Sequence, residues 1–197
     1  MNTIIYDLEI VSAIPNKDGS RLDGIEYCSG WHDHASMGIS VLGVYDYAED
    51  RYRVFCGDNK EAFASMMKGA LCVGFNNIPF DNAVLSATAG WESPKEEQCY
   101  DLLRETWIAS GLGPDFTYPD HAGYGLDAVC EANFGLKKSG SGAQAPYDWQ
   151  CGNFGTVIDY CLNDVLLTKR LFDAVLRGDY IKSPKGGTLT LRYPTNV

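Results

Sequence analysis

The pattern of hydrophobic and polar positions predicts strands in the first part of the chain. Residues 3–8 form a short run of β-branched and aromatic residues, which is typical of a buried strand close to the N-terminus. Residues 37–47 and 51–55 predict two further strands around the polar turn at 48–50. Because the three strands follow one another in sequence, we expect them to be antiparallel.

After residue 55 the pattern changes to strands alternating with helices. The clearest element is a long helix from Phe154 to about Arg177, where apolar residues recur at helical spacing until Gly178. The other predicted elements are helices at 58–68, 79–87 and 126–134, and strands at 71–75, 99–103 and 188–193. The pattern therefore predicts an α/β protein with a mixed sheet flanked by helices.

Two segments lack this periodicity. Residues 12–36 are polar, Gly-rich and too long for a hairpin turn, so we interpret them as an insertion. Residues 139–146 have the sequence SGSGAQAP, a composition that predicts a mobile loop. No repeat or linker divides the sequence, and we expect a single domain over residues 1–197.

Composition narrows the class of protein. With 16 Lys and Arg against 26 Asp and Glu, the formal net charge is -10, which argues against nucleic-acid binding through a basic surface unless metal ions intervene. The seven cysteines form no CxxC pair and several lie in apolar runs, so we expect reduced thiols and a cytoplasmic protein. No signal-peptide pattern and no apolar run of about 18 residues occurs, so we expect no membrane association.

Two carboxylates end the first predicted strand. Asp7 and Glu9 are two residues apart, and the period of a strand sends both side chains to the same face. Carboxylates this close repel each other unless a divalent cation, which prefers oxygen ligands, neutralises them. Taken alone, the pair is more simply explained as a solvated strand end.

Three further residues extend this acidic group. Tyr160 and Asp164 are four apart on the long helix and share a face, and the apolar neighbours of Asp164 indicate a cation or a strong donor as its partner. Asp81 lies at a predicted helix start, where the helix dipole ordinarily stabilises an acidic residue. Together with the strand pair, these carboxylates can converge at one edge of the sheet.

Three motifs resemble those of a known family. Residues 6–9 (YDLE), 74–81 (GFNNIPFD) and 160–164 (YCLND) are similar to the motifs of DnaQ-like 3′-5′ exonucleases of the ribonuclease H-like fold, in the branch with Tyr in its third motif (DEDDy). The second and third motifs look like those of proofreading domains of family B DNA polymerases. The sister branch carries His where this chain has Asp159, so the Tyr branch is the better fit. The 197 residues leave no room for a polymerase module.

The resemblance implies a fold, a reaction and a set of cofactors. The fold is a ribonuclease H-like mixed sheet, and the reaction is hydrolysis of DNA or RNA from its 3′ end, expected to be single-stranded, with release of nucleoside 5′-monophosphates. Two Mg²⁺ or Mn²⁺ ions about 3.5 to 4 Å apart are implied as cofactors. Their ligands would be Asp7, Glu9, Asp81 and Asp164, with Tyr160 orienting the attacking water.

Candidate substrate contacts are less specific. They are Leu8 and Asn76 within the first two motifs, Phe80 beside Asp81, Lys138 next to the Gly-Ser loop, and Tyr147 and Trp149 after that loop. The aromatic rings can stack on terminal bases, although a place in the core explains Phe80 equally well.

Other interpretations stay open at this point. A phosphodiesterase acting on short oligonucleotides or small nucleotides would use the same metal centre, and an inactive nucleic-acid-binding module would keep the fold alone. The filled acidic positions argue against the inactive module. Cys28, His32 and His34 match no standard zinc spacing, so a solvated insertion explains them more simply than a zinc site.

Overall fold

The computed structural model describes residues 2–136 and 140–195. Its centre is a five-stranded sheet in the order β3-β2-β1-β4-β5. The strands are β1 (Asn2–Glu9), β2 (Val41–Asp46), β3 (Arg51–Phe55), β4 (Ala70–Gly74) and β5 (Cys99–Asp101). The first three strands are antiparallel, whereas β4 pairs in parallel with β1 and with β5. This mixed, helix-flanked sheet confirms the predicted ribonuclease H-like α/β class.

Helices connect the strands and follow them. They are α1 (His34–Met37), α2 (Glu61–Met67), α3 (Asn82–Ala89), α4 (Leu102–Ala109), α5 (Leu126–Phe134), α6 (Ala145–Gln150) and α7 (Phe154–Leu176). Single turns of 3-10 helix lie at Gly57–Asn59 and Glu96–Gln98, and a π-helical turn lies at Asn77–Asp81. Beyond α7, β6 (Ile181–Lys182) and β7 (Thr188–Leu189) form a separate antiparallel pair.

Both faces of the sheet are covered. Ile5 of β1 belongs to the same apolar core as Phe172 of α7, whereas Ile4 and Tyr6 belong to a second core with Phe63 of α2. Successive residues of a strand point to opposite faces, which explains this division. The same alternation directs the odd-numbered acidic residues at the end of β1 towards α7.

Several predicted boundaries differ from the structure; the helix predicted at 79–87, for example, is Asn82–Ala89 and follows a π-helical turn. The strand predicted at 37–47 begins at Val41, because Met37 ends α1. The strand predicted at 99–103 stops at Asp101, whose side chain accepts hydrogen bonds from the backbone N–H groups of Leu103 and Arg104 and so starts α4. The edge strand predicted at 188–193 is reduced to the two residues that β6 pairs with.

The two aperiodic segments contain little regular structure. The insertion at 12–36 contains one isolated β-bridge, between Ala13 and Tyr27, and most of α1. The predicted loop at 139–146 is shorter in the structure, since α6 already begins at Ala145, and the first residue of the loop, 139, lies outside the described residues. Its mobility stays a prediction.

The described residues contain no disulfide, and all seven cysteines are free thiols. No helix in the described ranges is both long enough and apolar enough to span a bilayer.

Candidate metal centre

The end of β1 places two carboxylates beside α7. Glu9 is buried, with 6% of its surface exposed, and Asp7 is half-buried. One carboxylate oxygen from each of them and the sulfur of Cys161 all lie within 4.8 Å of one another. The side chains of Asp7 and Glu9 therefore share one small volume, as the strand period predicts.

Helix α7 adds Tyr160 and Asp164, one turn apart. Both are buried, with exposed fractions of 6% and 2%. An acidic side chain this deep in a protein is favourable only where a cation or several donors stabilise it. The helix thus brings a phenol and a third carboxylate to the end of β1.

A glycine on β2 sets the distance between the strand and the helix. Gly43 pairs with Asp7 across the sheet, and a Cβ atom there would lie only 2.9 Å from Sγ of Cys161. The Cys161 thiol in turn donates a hydrogen bond to the backbone carbonyl of Asp7, at 3.4 Å. Because Gly43 lacks a side chain, α7 approaches β1 and β2 closely enough to make this contact.

The segment after β4 supplies the fourth carboxylate. Asp81 ends the π-helical turn and is buried, with 4% of its surface exposed. Its Oδ1 accepts a hydrogen bond from the backbone N–H of Leu8, at 3.1 Å. Since Leu8 lies between Asp7 and Glu9, this bond attaches the second motif directly to the first.

A buried aspartate on β5 holds the turn that leads to Asp81. Asp101 accepts hydrogen bonds from the backbone N–H groups of Asn76 at 2.9 Å and Ile78 at 3.2 Å, in addition to the two at the start of α4. Asn76 has a left-handed backbone, with φ of 70°. Sequence reasoning missed Asp101. Its helix-capping position is a visible local signal, but its bonds to the distant turn leave no local pattern.

A second buried network lies beneath the site. The Tyr6 hydroxyl donates a hydrogen bond to the side-chain oxygen of Asn82. It also accepts a hydrogen bond from the Asn77 side-chain amide, at 3.2 Å. Burial and the negative charge of Asp81 raise the pKa of Tyr6 well above its ordinary value. Tyr6 therefore stays a neutral phenol that connects β1 to the turn and to α3.

One cavity of about 390 Å³ collects the predicted site residues. All five predicted catalytic residues line it, namely Asp7, Glu9, Asp81, Tyr160 and Asp164. Three predicted substrate contacts, Leu8, Asn76 and Phe80, line it as well. The metal-ligand candidates of all three motifs thus face one space.

The structure does not bring the remaining substrate candidates to this cavity. Tyr147 and Trp149 are not among its lining residues. The Tyr147 hydroxyl lies 3.2 Å from that of Tyr27, and the Trp149 ring packs against Phe154, with ring centroids 4.5 Å apart. Lys138 lies outside the described residues.

The charges of the site explain why it suits a cation. Burial and the nearby charge of Asp7 raise the pKa of the Asp81 carboxyl well above its ordinary value. Burial, Asp7 and Glu9 likewise raise the pKa of the Cys161 thiol, which stays neutral and serves as a hydrogen-bond donor. Carboxylate oxygens without a thiolate form a hard donor set, which fits Mg²⁺ or Mn²⁺.

The alternative zinc site does not form. Among the described residues, the group of close metal-binding atoms consists of Asp7, Glu9 and Cys161, and it does not include Cys28, His32 or His34. Cys28 is buried, and its thiol lies 3.6 Å from the carbonyl oxygens of Ala13 and Gly30.

Comparisons with known proteins show the fold. A search of protein-family profiles and a search of curated proteins both found no match. A similar solved structure is the family B DNA polymerase from the hyperthermophilic archaeon Pyrobaculum calidifontis, with a TM-score of 0.59 and 18% identity. The match covers 89% of this chain but 24% of the polymerase, so the chain spans about a quarter of that protein's length.

A second structure, the ExoI/SSB-Ct complex, matches with a TM-score of 0.42 and 14% identity over 88% of this chain and 44% of that one. The polymerase match is the one that indicates a shared fold, because its TM-score is the higher of the two. The chain therefore shares its fold with part of a family B DNA polymerase.

Proposed function

We propose that this protein is a metal-dependent 3′-5′ exonuclease that hydrolyses nucleic acid and releases nucleoside 5′-monophosphates. The observation that carries the proposal is the single cavity lined by Asp7, Glu9, Asp81, Tyr160 and Asp164. These residues are the key positions of the three motifs that resemble DEDDy exonucleases. The fold shared with part of a family B DNA polymerase agrees with the proposal.

The four carboxylates are proposed to hold two divalent ions, Mg²⁺ or Mn²⁺. When bound, such a pair of ions activates a water molecule and stabilises the charge that develops on the leaving 3′ oxygen. The chain gathers the ligands against their mutual repulsion. The hydrogen bond from Leu8 to Asp81 and the contact of Cys161 with Asp7 contribute to this positioning.

Tyr160 is proposed to orient the attacking water. Its hydroxyl both donates and accepts hydrogen bonds, as this role requires. The residue lines the cavity, and Gly142 passes so close that a Cβ atom there would lie 3.5 Å from the hydroxyl oxygen. The hydroxyl therefore lies beside Gly142, another residue of the cavity lining, although the ring is buried on α7.

The charge of the lining favours a phosphate substrate only with the ions in place. Four carboxylates contribute to the described lining, whereas Lys17 is its one basic side chain. With a formal net charge of -10, the protein has little long-range attraction for a polyanion. Binding of the substrate is therefore expected to depend strongly on divalent ions.

Cleavage of end-labelled substrates tests the proposal. Single-stranded DNA, duplex DNA, RNA and dinucleotides, each with a 5′ label, are incubated with Mg²⁺, Mn²⁺ or EDTA. We expect a one-nucleotide ladder that shortens from the 3′ end with either metal and no products in EDTA. The Asp7→Asn variant should lose this activity, and Asp159→Asn should keep it, because Asp159 is exposed on the neighbouring face of α7.

Three outcomes would contradict the proposal. Cleavage at internal positions would indicate an endonuclease. Absence of cleavage of every substrate by folded protein with Mg²⁺ or Mn²⁺ would argue against a nuclease. Cleavage of dinucleotides alone would support the phosphodiesterase interpretation instead.

A further inference from the structure

The insertion at 12–36 forms one side of the metal cavity. Five of its residues, which we call the wall, line that cavity: Ile14, Pro15, Asn16, Lys17 and Trp31. The wall and the carboxylates thus enclose the same space. A ligand that fills this cavity would contact both.

The most conspicuous residue of the wall is Trp31. Its exposed fraction is 66%, so packing in the core does not account for it. The ring centroid lies 6.2 Å from that of Phe80, with the two planes at 58°. Phe80 directly precedes Asp81. Two aromatic rings, one from the insertion and one from the second motif, therefore lie next to the metal ligands.

The insertion is fastened to α6 by hydrogen bonds. The Gln150 side chain donates to the carbonyls of Val11 and Glu26, at 2.8 and 3.1 Å, and accepts from the N–H of Glu26 at 2.7 Å. The hydroxyls of Tyr27 and Tyr147 meet at 3.2 Å. The insertion that carries the wall is therefore anchored to α6 at Glu26 and Tyr27, and such anchoring reduces the ordering of the chain that binding requires.

We propose that Trp31, together with Phe80, stacks against the base of the terminal nucleotide of the substrate. The inference rests on the proposed function and deepens it, since it assigns the insertion to recognition of a nucleic-acid end that carries an intact base. Base–aromatic stacking tolerates any base, because every base has a π face. The substrate class is therefore an end of any sequence, and an end that lacks its base is a poor substrate.

The test compares two 5′-labelled DNA single strands of the same sequence. One ends in an ordinary nucleotide, and the other ends in an abasic residue at the 3′ position. With Mg²⁺, we expect the wild-type protein to prefer the ordinary end by about tenfold in kcat/KM, as stacking energies indicate. Trp31→Ala should reduce the preference severalfold by lowering kcat/KM on the ordinary end, since only Phe80 remains to stack, while Trp31→Phe should retain most of it.

Leu22→Ala is the matched control. Leu22 belongs to the same insertion and is 64% exposed, but it does not line the cavity. This variant should show the wild-type preference. Thermal melts of Trp31→Ala and Leu22→Ala should match the wild type, because both side chains are mainly in solvent.

Two results would overturn the inference, namely a Trp31→Ala variant that keeps the full preference and a wild-type protein that has none. If the wild-type protein cleaves neither strand, the proposed function fails, and fluorescence anisotropy with the same strands tests the wall separately. Tighter binding of the ordinary end that Trp31→Ala reduces would still support stacking, whereas equal binding of both strands would overturn it.

Discussion

The floor and the wall of the cavity are built in different ways. The floor consists of the four carboxylates and Tyr160, which lie on a strand, a π-helical turn and a helix of the central fold. Asp164 at the floor is 2% exposed, whereas Trp31 in the wall is 66% exposed. The floor lies on regular elements held by backbone ladders, core packing and the hydrogen bonds of Asp81 and Asp101. The wall belongs to an insertion that a few side-chain hydrogen bonds join to α6.

This difference separates chemistry from binding. Groups that hold metal ions tolerate errors of only about 0.2 Å in ligand distance, which suits rigid elements. Contacts to a base tolerate more displacement, which suits a loop fastened at a few points. We therefore expect changes in the floor to reduce kcat and changes in the wall to raise KM.

The largest effect is expected from substitution of a carboxylate in the floor. Asp7→Asn should reduce kcat by about a thousandfold or more, because it removes a proposed ligand of the metal ions. The fold should survive, since the substitution also relieves the repulsion that raises the pKa of Asp81. Single-turnover cleavage and thermal melts of the metal-free protein measure the two effects. Unfolding of this variant, or nearly full activity, would show that Asp7 is not a ligand.

The second-largest effect is expected at Asp101, which holds the turn that leads to Asp81 in the floor. Asp101→Ala leaves four backbone N–H groups without their acceptor and should lower the melting temperature by about 5 to 15 °C. It should also reduce activity by about 10- to 100-fold, because Asp81 follows the released turn. Asp101→Asn, which keeps one side-chain oxygen, is the matched comparison and should retain more of both. Unchanged melting and cleavage in Asp101→Ala would refute the supporting role.

A smaller loss is expected from Tyr160→Phe. The ring and all four carboxylates stay, so metal affinity measured by calorimetry should not change. Cleavage should fall by about 10- to 100-fold, less than in Asp7→Asn, because only a water-orienting hydroxyl is lost. A variant as inactive as Asp7→Asn with intact metal binding would show that the hydroxyl does more than orient water.

A substitution in the loop next to Tyr160 tests whether this loop positions the Tyr160 ring. A Cβ atom on Gly140 would lie 3.1 Å from Cδ2 of Tyr160, so Gly140→Ala should displace the ring and reduce kcat by about threefold to tenfold. Gly155→Ala is the control, since a Cβ atom there meets nothing within 4 Å. Equal kinetics of the two variants would indicate that the loop does not press on Tyr160.

The smallest effect is expected where the wall is fastened. Tyr147→Phe removes one hydroxyl from the contact with Tyr27 and should raise KM by about threefold or less, with kcat unchanged. Tyr180→Phe, at an exposed ring in another part of the fold, should leave both constants unchanged. A fall in kcat without a rise in KM would contradict the division between floor and wall.

Regular elements explain why the floor was predictable from the sequence. The helix predicted from Phe154 to about Arg177 runs to Leu176, and that predicted at 126–134 has the same bounds in the structure. The strand period of β1 and the helix period of α7 are local, so they fix which side chains share a face. The convergence of the motifs then follows from the ribonuclease H-like fold, which the family resemblance implied.

The features that the sequence did not predict depend on contacts between residues that are distant in the chain. The segment 99–103 has too few residues to distinguish a strand from a helix start, and Asp101 decides it through hydrogen bonds. The aromatic rings of Tyr147 and Trp149 suggested base stacking. The partner of Tyr147 is Tyr27, 120 positions earlier in the chain, and no local pattern records such a pair.

Gly43 illustrates how a residue without chemistry can be as sensitive to change as a ligand. It is not a proposed contact of the ions or of the substrate, yet a Cβ atom there would lie 2.9 Å from Sγ of Cys161 and 3.2 Å from Cγ2 of Val165, so these side chains of α7 would have to shift. Asp164 lies on α7, whereas Asp7 lies on β1. Any shift of α7 that accompanies this change would alter the distance between the two carboxylates, and ligand distances in a metal site vary by only about 0.2 Å. In a saturation mutagenesis screen for activity, Gly43 should therefore score beside the acidic residues, as a spacer whose function is its lack of volume.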